Sequence, residues 1–381
     1  MFEWLYSSFE APGFFRLFGF VSFRALMAGL VSIGFSFLFG EVIIRKLRNL
    51  NFKEVVRGDG PQSHQVKAGT PTMGGLMILF GLAMSGFFFG NFSNLHFTLV
   101  YFCTLGFGAI GFMDDYSKVV LKKKGGMSAK VKMGLTLIIA FSFCFLYYYF
   151  TPAPGTGTIE ITTPAGKVAK PVIEYSVTGL FVPFHKGQLL DLTVFAALPF
   201  WMLVIVGTTH AVNLTDGLDG LAIGTVSIVT VTLGIIAYIT GSSNWAHYLN
   251  LPAVAGAHEI TVFLAALTGA GMGFLWFNAA PARIFMGDTG SLALGGALGM
   301  TVIILKKEVL LVILGGVFVM EALSVILQVG SYKLRGKRIF KMAPIHHHYE
   351  EKGWPETRIV IRFWLIGAIL SLISLATLRL Q

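Results

Sequence analysis

The sequence predicts an all-α integral membrane protein with about ten transmembrane helices. Of its 381 residues, 55% are hydrophobic and only 13% are charged, whereas a soluble domain usually carries about 25% charged residues. Long apolar runs recur along the whole chain, and a helix that spans a bilayer needs about 20 such residues. This composition excludes a soluble nucleic-acid-binding protein, in spite of the net charge of +10.

Ten segments are apolar over the length that a transmembrane helix requires. Nothing repeats at a fixed period, so residues 1–381 are predicted to form a single polytopic membrane domain. Glycine pairs four residues apart, such as Gly269 with Gly273 and Gly295 with Gly299, are typical of closely packed membrane helices. To within a few residues, the predicted spans cover 22–44, 72–90, 95–113, 130–150, 192–212, 218–240, 259–278, 288–305, 309–332 and 359–379.

Lysine and arginine are distributed unevenly between the two sides of this layout. The odd-numbered loops hold 21 of the 29 basic residues, and by the positive-inside rule these loops are cytoplasmic and both termini are periplasmic. The opposite side carries the segment 151–191, in which apolar and polar residues alternate around a Pro-Ala-Gly-Lys turn and predict a small β-hairpin. The polar motifs all fall in the cytoplasmic loops, which are predicted to form the active site: 45–71, 114–130, 213–218, 278–290 and 333–358.

Two acidic motifs lie at the predicted ends of spans. Asp114 and Asp115 follow the third apolar run, where acids are costly if they stay at membrane depth. A metal-binding or phosphate-facing role therefore competes with an ordinary helix end that carries two solvated acids. In NLTDGLDG, Asn213, Asp216 and Asp219 recur every third residue, so a helical turn would gather them on one side. The alternative is a short turn in which Asp216 caps a helix.

The third acidic motif is FNAAPARIFMGDTGS, residues 277–291. Asp288 is either the N-cap of the eighth span or an oxygen ligand for Mg²⁺, which takes one or two carboxylates together with substrate phosphates. Asn278 and Phe285 could hydrogen-bond to a nucleobase and stack on it, although an aromatic residue beside a span is more often an interface anchor.

Histidine and lysine motifs complete the polar set. His346, His347 and His348 are consecutive, and adjacent positions rarely converge on one zinc ion. They are better suited to donate hydrogen bonds to a phosphate or a peptide carboxylate. The stretch KAGTPTMGG offers donors at Lys67 and Thr72 but lacks the spacing of a Walker loop.

Two acids, Glu41 and Glu321, fall inside predicted spans. An ionisable residue within a span is a functional hypothesis by default. A hydrogen bond between helices is the plainer explanation, and it is preferred for Glu41.

Taken in order, these motifs resemble those of the polyprenyl-phosphate N-acetylhexosamine-1-phosphate transferases. The likeness runs from about Lys67 to Trp364 and rests on KAGTPTMGG, GFMDDYSK, NLTDGLDGLA, NAAPARIFMGDTGSLALGG and APIHHHYEEKGWPETRIVIRFW. The series is specific as a whole, and the ten-span layout agrees with that of the family. The likeness is closest to the branch that transfers phospho-N-acetylmuramoyl-pentapeptide, because the histidine run separates that branch from the N-acetylglucosamine-1-phosphate transferases.

The resemblance implies a Mg²⁺-dependent enzyme of the bacterial inner membrane, homodimeric, with its active site facing the cytoplasm. It would transfer phospho-MurNAc-pentapeptide from UDP-MurNAc-pentapeptide to undecaprenyl phosphate, giving lipid I and UMP, in the first membrane step of peptidoglycan synthesis. Asp288 is the implied metal ligand. The implied catalytic residues are Asp114, Asp115, Asp288, His346, His347 and His348. With Thr72 and Lys130 added as donors, the predicted substrate-binding residues are Lys67, Thr72, Lys130, Asn213, Asp216, Asp219, Asn278 and Phe285.

Two alternatives remain open from the sequence. A sister transferase that takes UDP-GlcNAc would share the chemistry and most motifs, although the histidine run opposes it. A lipid transporter or flippase would also have about ten spans. Transporters usually place their polar residues near the bilayer midplane in repeated halves, whereas here the acids lie at one membrane face and no repeat is found.

Overall fold

The computed structural model of the chain describes residues 13–50, 69–123, 125–152, 158–163, 166–171 and 175–380. These ranges are mostly helical. The helices are α1 (Val21–Asn49), α2 (Gly75–Phe89), α3 (Leu95–Val119), α4 (Ala129–Phe150), α5 (Val194–Thr215), α6 (Leu221–Thr240), α7 (Ser243–Tyr248), α8 (His258–Asn278), α9 (Gly287–Ile304), α10 (Leu310–Leu314), α11 (Gly316–Arg335), α12 (Ile345–Glu350) and α13 (Glu356–Thr377). Short 3₁₀ helices cover Gly13–Gly19 and Leu378–Leu380.

Each of the ten predicted spans corresponds to helical structure, which confirms the all-α membrane class. Within the described ranges, nine helices are long and apolar enough to cross a membrane. The second predicted span is the exception, because α2 has only 15 residues. The ninth is broken into α10 and α11 at Gly315, where two consecutive glycines, Gly315 and Gly316, weaken the helix.

Several predicted loop boundaries are wrong because helices continue into the loops. Helix α3 runs to Val119, so Asp114 and Asp115 belong to the helix and not to a loop starting at residue 114. Helix α5 runs to Thr215 and includes Asn213. Hydropathy ends a span at the first charged residues, whereas a helix can continue beyond them, as α1 does through the exposed Lys46 and Arg48.

Helix α9 lies at the centre of the bundle, and every residue from Thr289 to Ile304 is buried. Glycines let its neighbours approach closely, as the four-residue spacing predicted. A Cβ on Gly299 would lie 2.7 Å from the Cα of Ile205 in α5, and a Cβ on Gly295 would overlap Thr209 in the same helix. Close packing of α9 against α5 and α3 therefore places the first turn of α9 beside the ends of both helices.

The β-hairpin predicted within residues 151–191 is confirmed. Strands β1 (Thr158–Thr163) and β2 (Gly166–Pro171) pair antiparallel, with Thr163 opposite Gly166. A second, two-residue ladder joins β3 (Gly179–Leu180) to β4 (Leu190–Asp191).

A buried charged cluster follows α9, at the end of the bundle opposite to Asp288. Lys306 places its ammonium 5.0 Å from the ring centroid of Trp201 and donates to the carbonyl of Val177. Glu308 accepts from the Nε1 of Trp201 at 3.2 Å. Lys307 is equally buried, and desolvation by burial lowers the pKa of Lys306 and of Lys307 to about 8 in each case.

Replacing Lys307 by methionine should therefore change stability in a pH-dependent way. Between its folded pKa of about 8 and its ordinary value of 10.5, Lys307 binds more protons in the unfolded state, so the parent protein gains stability as the pH rises. We expect the difference in the midpoint of thermal unfolding in detergent, taken as Lys307→Met minus parent, to fall as the pH rises from 7 to 10. A difference between variant and parent that stays constant over this range would contradict the prediction.

Candidate active site

Two carboxylates from different helices share two lysines at one end of the bundle. The Oδ2 of Asp288, in the first turn of α9, lies 2.6 Å from the Nζ of Lys118 and 2.8 Å from that of Lys132. The Oδ2 of Asp114 contacts the same two ammonium groups at 2.9 and 3.2 Å. Both carboxylates are largely buried, whereas Lys118 keeps about a third of its side chain exposed. A compact group of alternating charges thus opens toward the surface on the lysine side.

Asn213 supplies the third side of this group. Its Nδ2 donates to the Oδ1 of Asp288 at 2.6 Å and to the Oγ of Ser291 at 2.8 Å. Each oxygen of Asp288 therefore has a partner of its own, and the carboxylate is fixed between α3, α4 and α5. The structure thus brings Asn213, a predicted substrate-binding residue, into contact with Asp288, the predicted metal ligand.

Asp115 holds the start of α9. Its two oxygens accept from the backbone N–H groups of Asp288 and Thr289 at 3.1 and 2.9 Å, and from the Thr289 hydroxyl at 2.7 Å. The N-cap residue of α9, Met286, makes no side-chain cap, so Asp115 satisfies N–H groups that a helix start leaves free. The alternative prediction, that Asp288 is the N-cap of this helix, is wrong, because Asp288 is the second residue of the helix.

The loop after α3 folds back over Asp114. The backbone N–H of Met127 donates to its Oδ1 at 2.6 Å, and Gly126 has a φ of +71°. A Cβ at Gly126 would lie 2.5 Å from that oxygen. Glycine at this position therefore serves both the left-handed backbone and the close approach to the carboxylate.

A second polar group joins the loop after α5 to the loop before α9. Asp219 accepts from the backbone N–H of Ala282 at 2.9 Å, and its own N–H donates to Glu356 at 2.6 Å. Asn278 accepts from the N–H of Gly220 at 3.0 Å and donates to the carbonyl of Ile284 at 2.9 Å. Asp219 and Asn278 thus tie loops together and do not project into open space.

Asn213, Asp216 and Asp219 do not share one face, contrary to the prediction from their three-residue spacing. Asn213 lies in α5, Asp216 is the residue that ends the helix, and Asp219 turns toward Ala282. The helix stops at Thr215, so helical spacing no longer governs where the two aspartates point.

Phe285 and Thr72 lie where the chain leading into α2 meets the chain leading into α9. The N–H of Phe285 donates to the carbonyl of Pro71, and its carbonyl accepts from Gly74, both at 2.8 Å. The ring of Phe285 is half-buried and Thr72 is buried. Lys67, predicted for the same region, lies outside the described residues.

The three histidines have different surroundings. His346 is fully buried, with its Nδ1 3.1 Å from a carboxylate oxygen of Glu321 in α11. His347 contacts Glu350 at 2.6 Å. His348 accepts from the N–H of Lys341 at 3.0 Å, and burial together with Lys352 and Lys341 lowers its pKa.

Sequence reasoning missed two lysines that contact the acidic residues, and the predicted role of Lys130 in substrate binding stays a prediction. Lys130 is exposed and the structure gives it no hydrogen bond in this group, whereas Lys118 and Lys132 contact both carboxylates. Lys118 follows Asp114 by four residues, a spacing that places them together if α3 continues past residue 113. Glu41 pairs with Arg283 at 2.6 Å, a contact between a helix and a loop in place of the expected helix-to-helix bond.

Asp288 and Asp114 offer the donors that Mg²⁺ prefers. Their Oδ2 atoms lie close enough to share both ammonium groups, and Mg²⁺ usually takes one or two carboxylates and leaves the other positions to phosphates and water. Among the described residues, no three histidine, cysteine or acidic side chains form a complete protein cage. The donor set therefore fits a Mg²⁺ ion that is shared with a phosphorylated substrate.

Comparison with known proteins identifies a family for this arrangement. The family model described as glycosyl transferase family 4 matches residues 97–306, a range that includes Asp114 and Asp288. Phospho-N-acetylmuramoyl-pentapeptide-transferase signature 1 matches residues 67–79. Relatives named phospho-N-acetylmuramoyl-pentapeptide-transferase, from two strains of Leptospira biflexa serovar Patoc, are each 53% identical over 382 aligned positions that cover all of both chains. The chain therefore belongs to the phospho-N-acetylmuramoyl-pentapeptide-transferase family.

Proposed function

We propose that the protein transfers phospho-MurNAc-pentapeptide from UDP-MurNAc-pentapeptide to undecaprenyl phosphate, forming lipid I and releasing UMP. The observation that carries this proposal is the pair of buried carboxylates, Asp114 and Asp288, that faces two lysines at one end of a membrane bundle. Relatives with the transferase name match the chain over its whole length, and the motifs that carry the resemblance meet at this end.

An oxygen of the lipid phosphate attacks the sugar-side phosphorus of the donor. The new P–O bond forms as the bond between that phosphorus and the oxygen bridging to UMP breaks, and UMP leaves with the electron pair. Both reactants are anionic, so positioning and charge neutralisation provide most of the catalysis. Lys118 and Lys132 are placed to neutralise phosphate oxygens, and Asn213 holds Asp288 in a fixed orientation.

Asp288, with Asp114 beside it, is the proposed Mg²⁺ site. A Mg²⁺ ion held there would supply positive charge to the diphosphate of the donor and to the leaving UMP. Asp115 contributes indirectly, because it fixes the helix turn from which Asp288 projects.

Direct attack is favoured over a phospho-aspartyl intermediate. The second pKa of a phosphate monoester is about 6, so the lipid phosphate needs no strong base near neutral pH.

The placement in the cell follows from charge. The loops around the acidic group carry most of the 29 basic residues, so we place this end of the bundle at the cytoplasmic face of the bacterial inner membrane and both termini in the periplasm. A lipid phosphate lies at the same depth. The homodimer that the resemblance implies is part of the same proposal.

The test is UMP release by the full-length protein in detergent. We expect release only when UDP-MurNAc-pentapeptide, undecaprenyl phosphate and Mg²⁺ are all present, and loss of release on chelation with EDTA that is reversed by added Mg²⁺. Release with UDP-GlcNAc as the donor would assign the chain to the sister transferases. Release that persists in EDTA would refute the metal site, and no release with either donor from folded protein would refute the transferase function.

A further inference from the structure

His346, the first residue of the histidine run, is fully buried, whereas a residue that contacts substrate has to be accessible. His346 and Glu321 are both fully buried, and the Nδ1 of the imidazole lies 3.1 Å from the Oε2 of the carboxylate. Glu321 belongs to α11 and His346 to α12, so the contact joins two helices. The two atoms are close enough for an ion pair, which lowers the cost of a buried charge, but they are not aligned for a hydrogen bond.

The opposite edge of the imidazole packs on a glycine. A Cβ at Gly217 would overlap the Nε2 of His346 and would lie 2.8 Å from its Cε1. Gly217 has no positive φ, so its backbone would accept any residue and only the ring enforces glycine here. The His346 ring therefore fills the space directly above the chain that leaves α5.

The same region has its own small hydrophobic core. Leu218 and Leu221, which flank this turn, are buried against Val317 of α11 and Ile359 of α13, with Ile345 packed against them. Close packing transmits a displacement of one side chain to its neighbours. The turn also carries Asp219 and follows Asn213, the residue that donates to Asp288.

We propose that His346 is a positioning residue and that Glu321 holds it. The pair supports the Gly217 turn from behind and so keeps Asn213 and Asp219 in place, without touching either substrate. This role replaces the catalytic one that the sequence predicted for His346.

The first test does not depend on activity. Diethyl pyrocarbonate modifies accessible imidazoles, and the sites can be assigned by mass spectrometry on the full-length protein in detergent. We expect His346 to stay unmodified under conditions that modify the exposed His185. Gly217→Ala should make His346 reactive, because the added methyl group displaces the ring. Modification of His346 in the parent at the rate of His185, or an unreactive His346 in Gly217→Ala, would overturn the proposal.

Gly207→Ala is the matched control. Gly207 lies on the same helix as Asn213, and a Cβ there would meet nothing within 4 Å. We expect this variant to match the parent in histidine modification and in UMP release, and to unfold at the same or a slightly higher temperature.

The second test uses a double-mutant cycle in the UMP-release assay, and to that extent it rests on the proposed function. We expect Gly217→Ala and His346→Ala each to lower kcat by about 10²-fold through misplacement of the turn, with little change in the KM for the nucleotide. Once the ring is gone the methyl group meets no obstacle, so the double variant should fall within about twofold of His346→Ala. Effects that multiply, or a loss that appears mainly in KM, would indicate direct contact with substrate.

A third test asks whether Glu321 is needed to hold His346. Glu321→Gln keeps a polar partner for His346 and should retain more kcat than Glu321→Leu, which removes it. Equal losses in both variants would remove Glu321 from the proposal. If the parent itself released no UMP, the transferase function would fail, whereas the modification experiment would still decide the placement of His346.

Discussion

Asp288→Asn is expected to reduce UMP release by about 10³-fold or more, the size of effect seen when a group that stabilises phosphoryl-transfer charge is removed. The substitution removes the negative charge that Lys118, Lys132 and the proposed Mg²⁺ share. It leaves the size of the side chain unchanged, and an amide oxygen can still accept from Asn213. Lys118 and Lys132 keep Asp114 as a partner, so the midpoint of thermal unfolding should fall less than in Asp115→Asn, and the residual activity should require more Mg²⁺.

Asp115→Asn provides the contrast, because Asp115 holds a helix start and not a charge cluster. An amide in place of the carboxylate turns one acceptor into a donor, and one of the N–H groups of Asp288 and Thr289 loses its partner. A buried donor without a partner costs about 1–3 kcal/mol, so this variant should unfold at a lower temperature as well as lose activity. Glu41→Gln, at an exposed ion pair, is the control that should change neither.

Two results would contradict this division of roles. Asp288→Asn with more than a few per cent of the parental activity would mean that its charge is not needed, and the Mg²⁺ site would have to lie elsewhere. Asp115→Asn with parental stability and no activity would move Asp115 from the support of α9 into the chemistry itself.

The sequence was sufficient to predict the helical bundle and to single out polar motifs that lie close together in the structure. Apolar runs located the helices, and the polar motifs at their ends converge in space as Asp114, Asp288 and Asn213. These predictions depend on local properties, namely hydropathy, charge and motif order. Each of them can be derived from a short stretch of chain.

What the sequence could not predict is which partner each side chain takes. Asp114 and Asp115 are neighbours, yet one faces two lysines and the other binds backbone N–H groups of α9, because adjacent residues on a helix point about 100° apart. For the same reason the sequence could not show that Lys132 faces both carboxylates. The orientation of a helix about its own axis depends on packing against its neighbours.

Buried charge at the other end of the bundle leads to the prediction with the largest effect on stability. Arg24, near the start of α1, donates through both terminal nitrogens to Glu259 in α8, at 2.8 and 2.6 Å, and also to the carbonyl of Phe89 at 3.2 Å. From the sequence alone Arg24 counted only as one of the few basic residues on the periplasmic side. The structure shows it to be a bidentate link between three helices.

Glu259→Gln should destabilise the protein by about 3–5 kcal/mol, because it leaves the Arg24 charge buried without a counterion. Thermal unfolding in detergent would measure the loss, with Glu41→Gln in the exposed pair expected to cost at most about 1 kcal/mol. The double variant Arg24→Met/Glu259→Met removes both charges and should be more stable than Glu259→Gln. If the double variant is less stable than Glu259→Gln, the ion pair stabilises the protein by more than the neutralisation of its own two charges. Arg24→Lys would then test how much of this free energy comes from the hydrogen bond to the carbonyl of Phe89, at the end of α2. If Glu259→Gln unfolds at the same temperature as the parent, water reaches Arg24, and the buried ion pair does not stabilise the packing of α1, α2 and α8.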